Sequence, residues 1–115
     1  KITDLAVGEL SEPVRVPYFK LGHPKSGEKI TFGGYGCDGV DGRSDGLYRE
    51  GPAEIWNIST SSMTIGGPAF ACQGDSGGAV FNGDTLVGIM VAVSPGQYTL
   101  ATRIDSQEAQ DLIGD

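Results

Sequence analysis

Basic residues are scarce in this chain of 115: 8 Lys and Arg stand against 15 Asp and Glu, a net charge of −7. No basic cluster interrupts that balance, so neither nucleic acid nor an anionic membrane is expected as a partner. Nor does any apolar run approach the length of a membrane span. Histidine occurs once, at His23, and cysteine twice, at Cys37 and Cys72. Helical periodicity is almost missing. No secretory leader opens the chain; Lys1 runs directly into Ile-Thr-Asp-Leu-Ala-Val, which reads as mature sequence.

Glycine is abundant, at 19 residues. Together with many β-branched residues, this points to an all-β domain with tight turns. The length suits one domain able to bury roughly two-thirds of its unfolded surface. Two cysteines are compatible with one disulfide, and two free buried thiols are the alternative.

Chemistry concentrates in residues 71–81, Ala-Cys-Gln-Gly-Asp-Ser-Gly-Gly-Ala-Val-Phe. The Ser76 hydroxyl is the candidate nucleophile. Flanking glycines let the backbone turn tightly and come close to a ligand. Such a turn can aim the N–H groups of Gly74 and Ser76 at one point, where they would bind the oxyanion formed as a serine attacks an acyl carbon. Alone, Gly-Asp-Ser-Gly also reads as an ordinary β-turn between strands.

The full run resembles the nucleophile segment of chymotrypsin-like (trypsin-like) serine proteases. The resemblance implies Ser76 as nucleophile, the Gly74 and Ser76 amides as oxyanion hole, and Asp75 as the buried carboxylate that braces the loop. Ala79 stands where most members have proline. It also implies a polypeptide substrate, no cofactor, no metal, and a secreted or periplasmic setting in which a disulfide persists.

Upstream, Asp4-Leu5-Ala6-Val7, with Leu10 and Pro13-Val14 beyond, resembles the segment that carries the catalytic aspartate in that family. Asp4 would orient and charge-stabilise a histidine base. Only three residues precede Asp4, and His23 lies in a polar turn, Gly22-His23-Pro24, where it reads as a solvated loop residue. The chain thus resembles the C-terminal portion of such a protease, with the catalytic histidine expected on an N-terminal partner chain. Leu5, Val7 and Leu10 are expected on a strand whose apolar edge that partner covers. A non-catalytic binding module on the same fold is the alternative.

The implied architecture is all-β: a C-terminal six-stranded antiparallel β-barrel of a two-barrel fold, the last strand of the first barrel, and a short C-terminal helix. Residues 1–14 are expected to be that last strand, 15–27 an inter-barrel linker, 28–104 the barrel with its nucleophile loop, and 105–115 the helix. Strands are expected at 28–36, 54–59, 63–65, 78–81, 86–93 and 98–103. A turn is expected at Asn82-Gly83-Asp84. Asp105-Ser106-Gln107-Glu108 reads as a capping-box-like start to a helix over 106–113, with Ala109, Leu112 and Ile113 inward. Gly34-Tyr35-Gly36 resembles the Gly-Trp-Gly that opens the family's second barrel. The Asp-rich loop after Cys37, with Asp38, Asp41 and Asp45, matches no calcium-loop spacing and reads as solvated acids.

Aligned to the family, Phe70 falls at the base of the primary specificity pocket, beside Ala71 and Gln73. Val91, Ala92 and Val93 form one wall and Gly96 the other. No acidic residue stands at the base and no histidine in the lining, so small or medium apolar side chains are expected rather than Lys, Arg or Glu. The family's usual partner for the Cys72 position is missing, which leaves Cys37. Asp75 would be costly to bury unpaired, and the resemblance implies zymogen activation, with a new terminal ammonium on the partner chain.

Overall fold

The computed structural model describes residues 4–36, 46–94 and 96–114. Among the described residues there are seven strands: β1 (Lys20–Leu21), β2 (Lys29–Gly34), β3 (Arg49–Ile58), β4 (Ser62–Gly66), β5 (Ala79–Asn82), β6 (Thr85–Ser94) and β7 (Tyr98–Arg103). Helix α1 (Gln107–Ile113) follows them. The order β6-β5-β2-β3-β4-β7, with β7 pairing back to β6, closes a six-stranded antiparallel barrel. Strand β1 lies outside it, parallel to β6. This is the expected all-β architecture.

Period-two alternation builds the core, because successive strand residues face opposite sides. Ile30 and Phe32 of β2, Ala53 and Ile55 of β3, Met63 and Ile65 of β4, and Ala101 of β7 all point inward. Register shifts interrupt β3 between Ile55 and Asn57, β5 between Val80 and Phe81, and β6 between Met90 and Ala92. Bulges of this kind bend strands enough to close a small barrel. At Gly88 the wall leaves no room for a side chain, since a Cβ there would strike Met63 Cε.

Strand β3 starts five residues before the expected position of 54 and takes in Gly51 and Pro52. Pro52 faces Thr31 of β2. Strand β4 pairs with β3 only as far as Glu54, so the missing N–H of Pro52 interrupts no ladder bond.

The strand expected within 1–14 is not found: residues 4–14 join no ladder, and 1–3 lie outside the described residues. The pairing expected for this segment is with the N-terminal partner chain; on this barrel the position outside β6 is taken by β1. Strand β1 docks through Lys20 N–H to the Asp84 carbonyl, 2.8 Å, and Gly22 N–H to the Leu86 carbonyl, 3.0 Å. Phe19 adds a ring contact with Phe81 at 5.1 Å.

At α1 the cap is Ser106, whose hydroxyl accepts from Ala109 N–H at 3.1 Å. Ala109 occupies the position where a reciprocating Glu would complete a capping box. Ala109 is buried and Ile113 half-buried, but Leu112 faces solvent, against expectation. The helix packs one narrow stripe, which a position three residues beyond Ala109 does not reach.

Candidate active site

The loop between β4 and β5 is tied to the barrel from both sides. Gly77 N–H donates to the Met90 carbonyl at 2.7 Å, and Met90 N–H returns a bond to the Gly78 carbonyl at 2.9 Å. Inside the loop, Asp75 N–H bonds the Cys72 carbonyl and Gly78 N–H the Asp75 carbonyl, each at 3.0 Å. Gly74 and Gly77 adopt φ of 97° and 89°, a region that glycine enters without strain. The glycines read in the sequence as turn-formers are therefore required by the path of the chain.

Asp75 is buried, with 9% of its surface exposed. Its carboxylate accepts from Gly36 N–H at 2.8 Å and from Cys72 N–H at 2.9 Å. Gly34 and Gly36 form the cradle: a Cβ on either would strike the Asp75 carboxylate. This explains physically why Gly34-Tyr35-Gly36 and the nucleophile loop go together. Bonds from two amides offset the desolvation of the buried carboxylate.

With Asp75 turned inward, Ser76 is exposed, and its hydroxyl donates to the Val91 carbonyl at 2.9 Å. Among the described residues the amides of Gly74 and Ser76 donate to no group, so both are open to an incoming oxyanion. Asp4 and Ser76 line one cleft of about 600 Å³, walled by Leu86, Ile89, Val91 and Ile104. The Asp4 carbonyl accepts from Thr102 Oγ1 of β7 at 3.0 Å, which fixes this segment on the barrel. Ser76 and Asp4 therefore share one largely apolar cleft.

The profile described as Trypsin matches residues 1–113. The chain belongs to the trypsin family. Among solved structures it is similar to the scabies mite inactivated protease paralogue S-I1, with a TM-score of 0.69 and 22% identity over 91% of this chain and 58% of that one. It is also similar to neuropsin, a serine protease expressed in the limbic system of mouse brain, with a TM-score of 0.64 and 22% identity over 79% of this chain and 49% of that one. Identity this low shows shared fold, and the trypsin-family chain spans only about half the length of these neighbours, 58% of one and 49% of the other. No curated protein matches it.

Seven residues of this trypsin-family chain are expected in the specificity pocket, and among them Val91 lines the Asp4–Ser76 cleft. Val93 packs against the barrel core, and Ala71 is buried within it. Phe70 is turned edge-on to Trp56, with ring centroids 6.5 Å apart. Gln73, Ala92 and Gly96 are exposed. Cys37 and the acids at 38, 41 and 45 lie outside the described residues. No described cysteine is free, and no metal-type cluster of His, Cys, Asp or Glu occurs among the described residues.

His23 is exposed, as its polar turn suggests, but it is not without a partner. It bonds through Nδ1 to Asp105 Oδ2 at 2.9 Å. Arg103 grips the same carboxylate through Nε and one terminal nitrogen at 2.8 and 2.9 Å, and its other terminal nitrogen reaches the Ser59 carbonyl at 2.8 Å. His23 lines a separate cavity of about 370 Å³ with Asp105 and Gln110. The pair spans 82 positions, and no local pattern announces it.

Burial opposes ionisation of Asp105, but the bonds and charges of Arg103 and His23 outweigh it and hold the carboxyl below its ordinary 3.8. A carboxyl depressed in the folded state stabilises fully above its unfolded value and loses that contribution as pH falls through the folded one. Asp105→Asn should therefore lower the urea midpoint at about pH 6, and the gap to the parent should shrink below about pH 3.5. Equal gaps at both pH values would contradict this assignment.

Proposed function

We propose that this chain is the C-terminal catalytic portion of a serine endopeptidase. Ser76 attacks the peptide carbonyl, the Gly74 and Ser76 amides bind the oxyanion, and Asp4 orients a histidine base contributed by the N-terminal part of the protein. The observation that carries this reading is that an exposed Ser76 and Asp4 line one cleft, while the amides of Gly74 and Ser76 donate to no group among the described residues. In the acylation step the Ser76 proton passes to the histidine and then to the leaving amine, with water completing deacylation. The Val91 carbonyl now holding the Ser76 proton would give way to that base. The trypsin-family membership also supports a secreted or periplasmic setting.

Phe70 rather than an acid falls at the aligned base of the specificity pocket, which supports cleavage after small or medium apolar side chains. Profiling of the full-length protein on a peptide library should give that preference, and cleavage mainly after Lys or Arg would overturn it. For the loop we propose a Cys37–Cys72 disulfide. The two amides that hold Asp75 belong to Cys72 itself and to the residue before Cys37, so such a bond would fasten both donors. Reduction and alkylation should lower kcat on the order of tenfold or more with little change in KM, whereas an unchanged kcat would count against the bond.

The burial of the Asp75 carboxylate and the trypsin-family membership support the expected pairing with a terminal ammonium released by zymogen cleavage. Full activity of a precursor that cannot be cut would exclude it. A second reading, a non-catalytic binding module, is favoured by one contact: Ser76 bonds a main-chain carbonyl rather than a base. One structural neighbour, the scabies mite protein, is an inactivated protease paralogue, which points the same way.

A further inference from the structure

The outer surface of β3 carries a feature that the proposed protease chemistry does not use. The register shift between Ile55 and Asn57 breaks the in-out alternation, and Trp56 and Asn57 both face solvent. Two adjacent outward side chains are the expected product of a bulge. Trp56, the chain's one tryptophan, is 49% exposed. It stands edge-on to Phe70 and packs so closely over Gly66 that a Cβ there would strike the indole. Exposed aromatic surface of this kind, held rigid by its neighbours, commonly meets a partner.

Residues 57–59 read Asn-Ile-Ser, an Asn-x-Ser pattern with no proline in the middle. The structural context suits its use. Asn57 and Ser59 are exposed where β3 runs into the turn before β4. The Asn57 side-chain oxygen accepts from Ile58 N–H at 3.0 Å, while its Nδ2 donates to nothing among the described residues. Neither residue lines the Asp4–Ser76 cleft.

We propose that Asn57 is an N-glycan acceptor whose first sugars lie over the Trp56 indole. Nδ2 attacks C1 of the reducing-end sugar of an oligosaccharide carried on a polyprenyl diphosphate. The new C1–N bond forms as the C1–O bond breaks, the diphosphate leaves with the electron pair, and the Nδ2 proton passes to a base of the transferase. A sugar's C–H face against the indole removes exposed aromatic area from water, and the glycan's hydroxyls keep the surface soluble. The proposal rests on the secreted reading, since the transferase works in the secretory pathway.

The test separates the two. Full-length protein is translated into endoplasmic-reticulum microsomes behind a cleavable signal, which enforces entry whatever the native address. A mass increase removed by peptide-N-glycosidase is expected for the parent and for Ser59→Thr, and is lost in Asn57→Gln and Ser59→Ala. No increase in the parent, or one that survives Asn57→Gln, overturns the acceptor assignment. On glycosylated protein, removing the glycan should raise acrylamide quenching of tryptophan fluorescence, and that rise should vanish in Trp56→Phe. Unchanged quenching overturns the placement over Trp56. Secretion through the native leader, assayed separately, bears on the secreted reading alone.

Discussion

Ser76→Ala in the full-length protein is expected to reduce kcat about a millionfold, the scale seen when the nucleophile of a serine hydrolase is removed. Stability should be nearly unchanged. Ser76 is exposed, and its hydroxyl makes one bond, to the Val91 carbonyl, whose removal exposes that carbonyl to solvent rather than burying it. The measurement is kcat and KM on an apolar peptide substrate beside a thermal unfolding curve. If the parent protein hydrolyses no peptide and Ser76→Ala binds polypeptides as tightly as the parent does, the binding-module reading takes over.

Asp75→Ala is the second large effect, and it acts on both stability and activity. Its carboxylate is the acceptor for Gly36 N–H and Cys72 N–H. Removing it strands two amides, at least one fully buried, and each buried unsatisfied donor costs about 1–3 kcal/mol. A loss of roughly 3 kcal/mol in unfolding free energy is therefore expected by urea titration. The same change frees the turn that presents Gly74 and Ser76, and misplacing oxyanion donors costs about a hundredfold or more in kcat. Asp75→Asn keeps an acceptor oxygen for one amide but sets an NH2 group against the other, so it should fall between parent and alanine. A fully active and stable Asp75→Ala would mean that the loop is held by something else.

The parts of this structure legible in the sequence are those encoded locally. Gly-Asp-Ser-Gly-Gly prescribes its own turn, because positive φ at Gly74 and Gly77 is a property of those residues. Alternation at Ile30 and Phe32, or Met63 and Ile65, likewise states which face is buried. Features that depend on distant partners were not legible. Residues 4–14 have strand-like apolar content yet join no ladder, because the strands expected to pair with them belong to the N-terminal part. Trp56 spoils the alternation of β3, and only the bulge, which needs the β4 register to define it, explains the fault.

His23 shows the same limit at the level of the site. The polar turn around it suggests solvation, whereas Asp105, held by Arg103, waits 82 positions away. The link from Gly34 and Gly36 to Asp75 is intermediate: a glycine-flanked aromatic was visible, but the reason for its glycines was not. Only the packed structure shows that a carboxylate occupies the space their side chains would need. The neighbours of the specificity residues were not legible either: Phe70 stands against Trp56 and Val93 packs on the core.

The central claim is that Ser76 becomes an activated nucleophile once a histidine from the N-terminal part joins Asp4 at the cleft. Its most direct test is intact mass spectrometry of the full-length, non-reduced protein after exposure to a fluorophosphonate, followed by mapping of the adduct. The account predicts one adduct per molecule, on Ser76, absent from Ser76→Ala and lost when the N-terminal histidine is replaced. A folded full-length protein that acquires no adduct at Ser76 would contradict it.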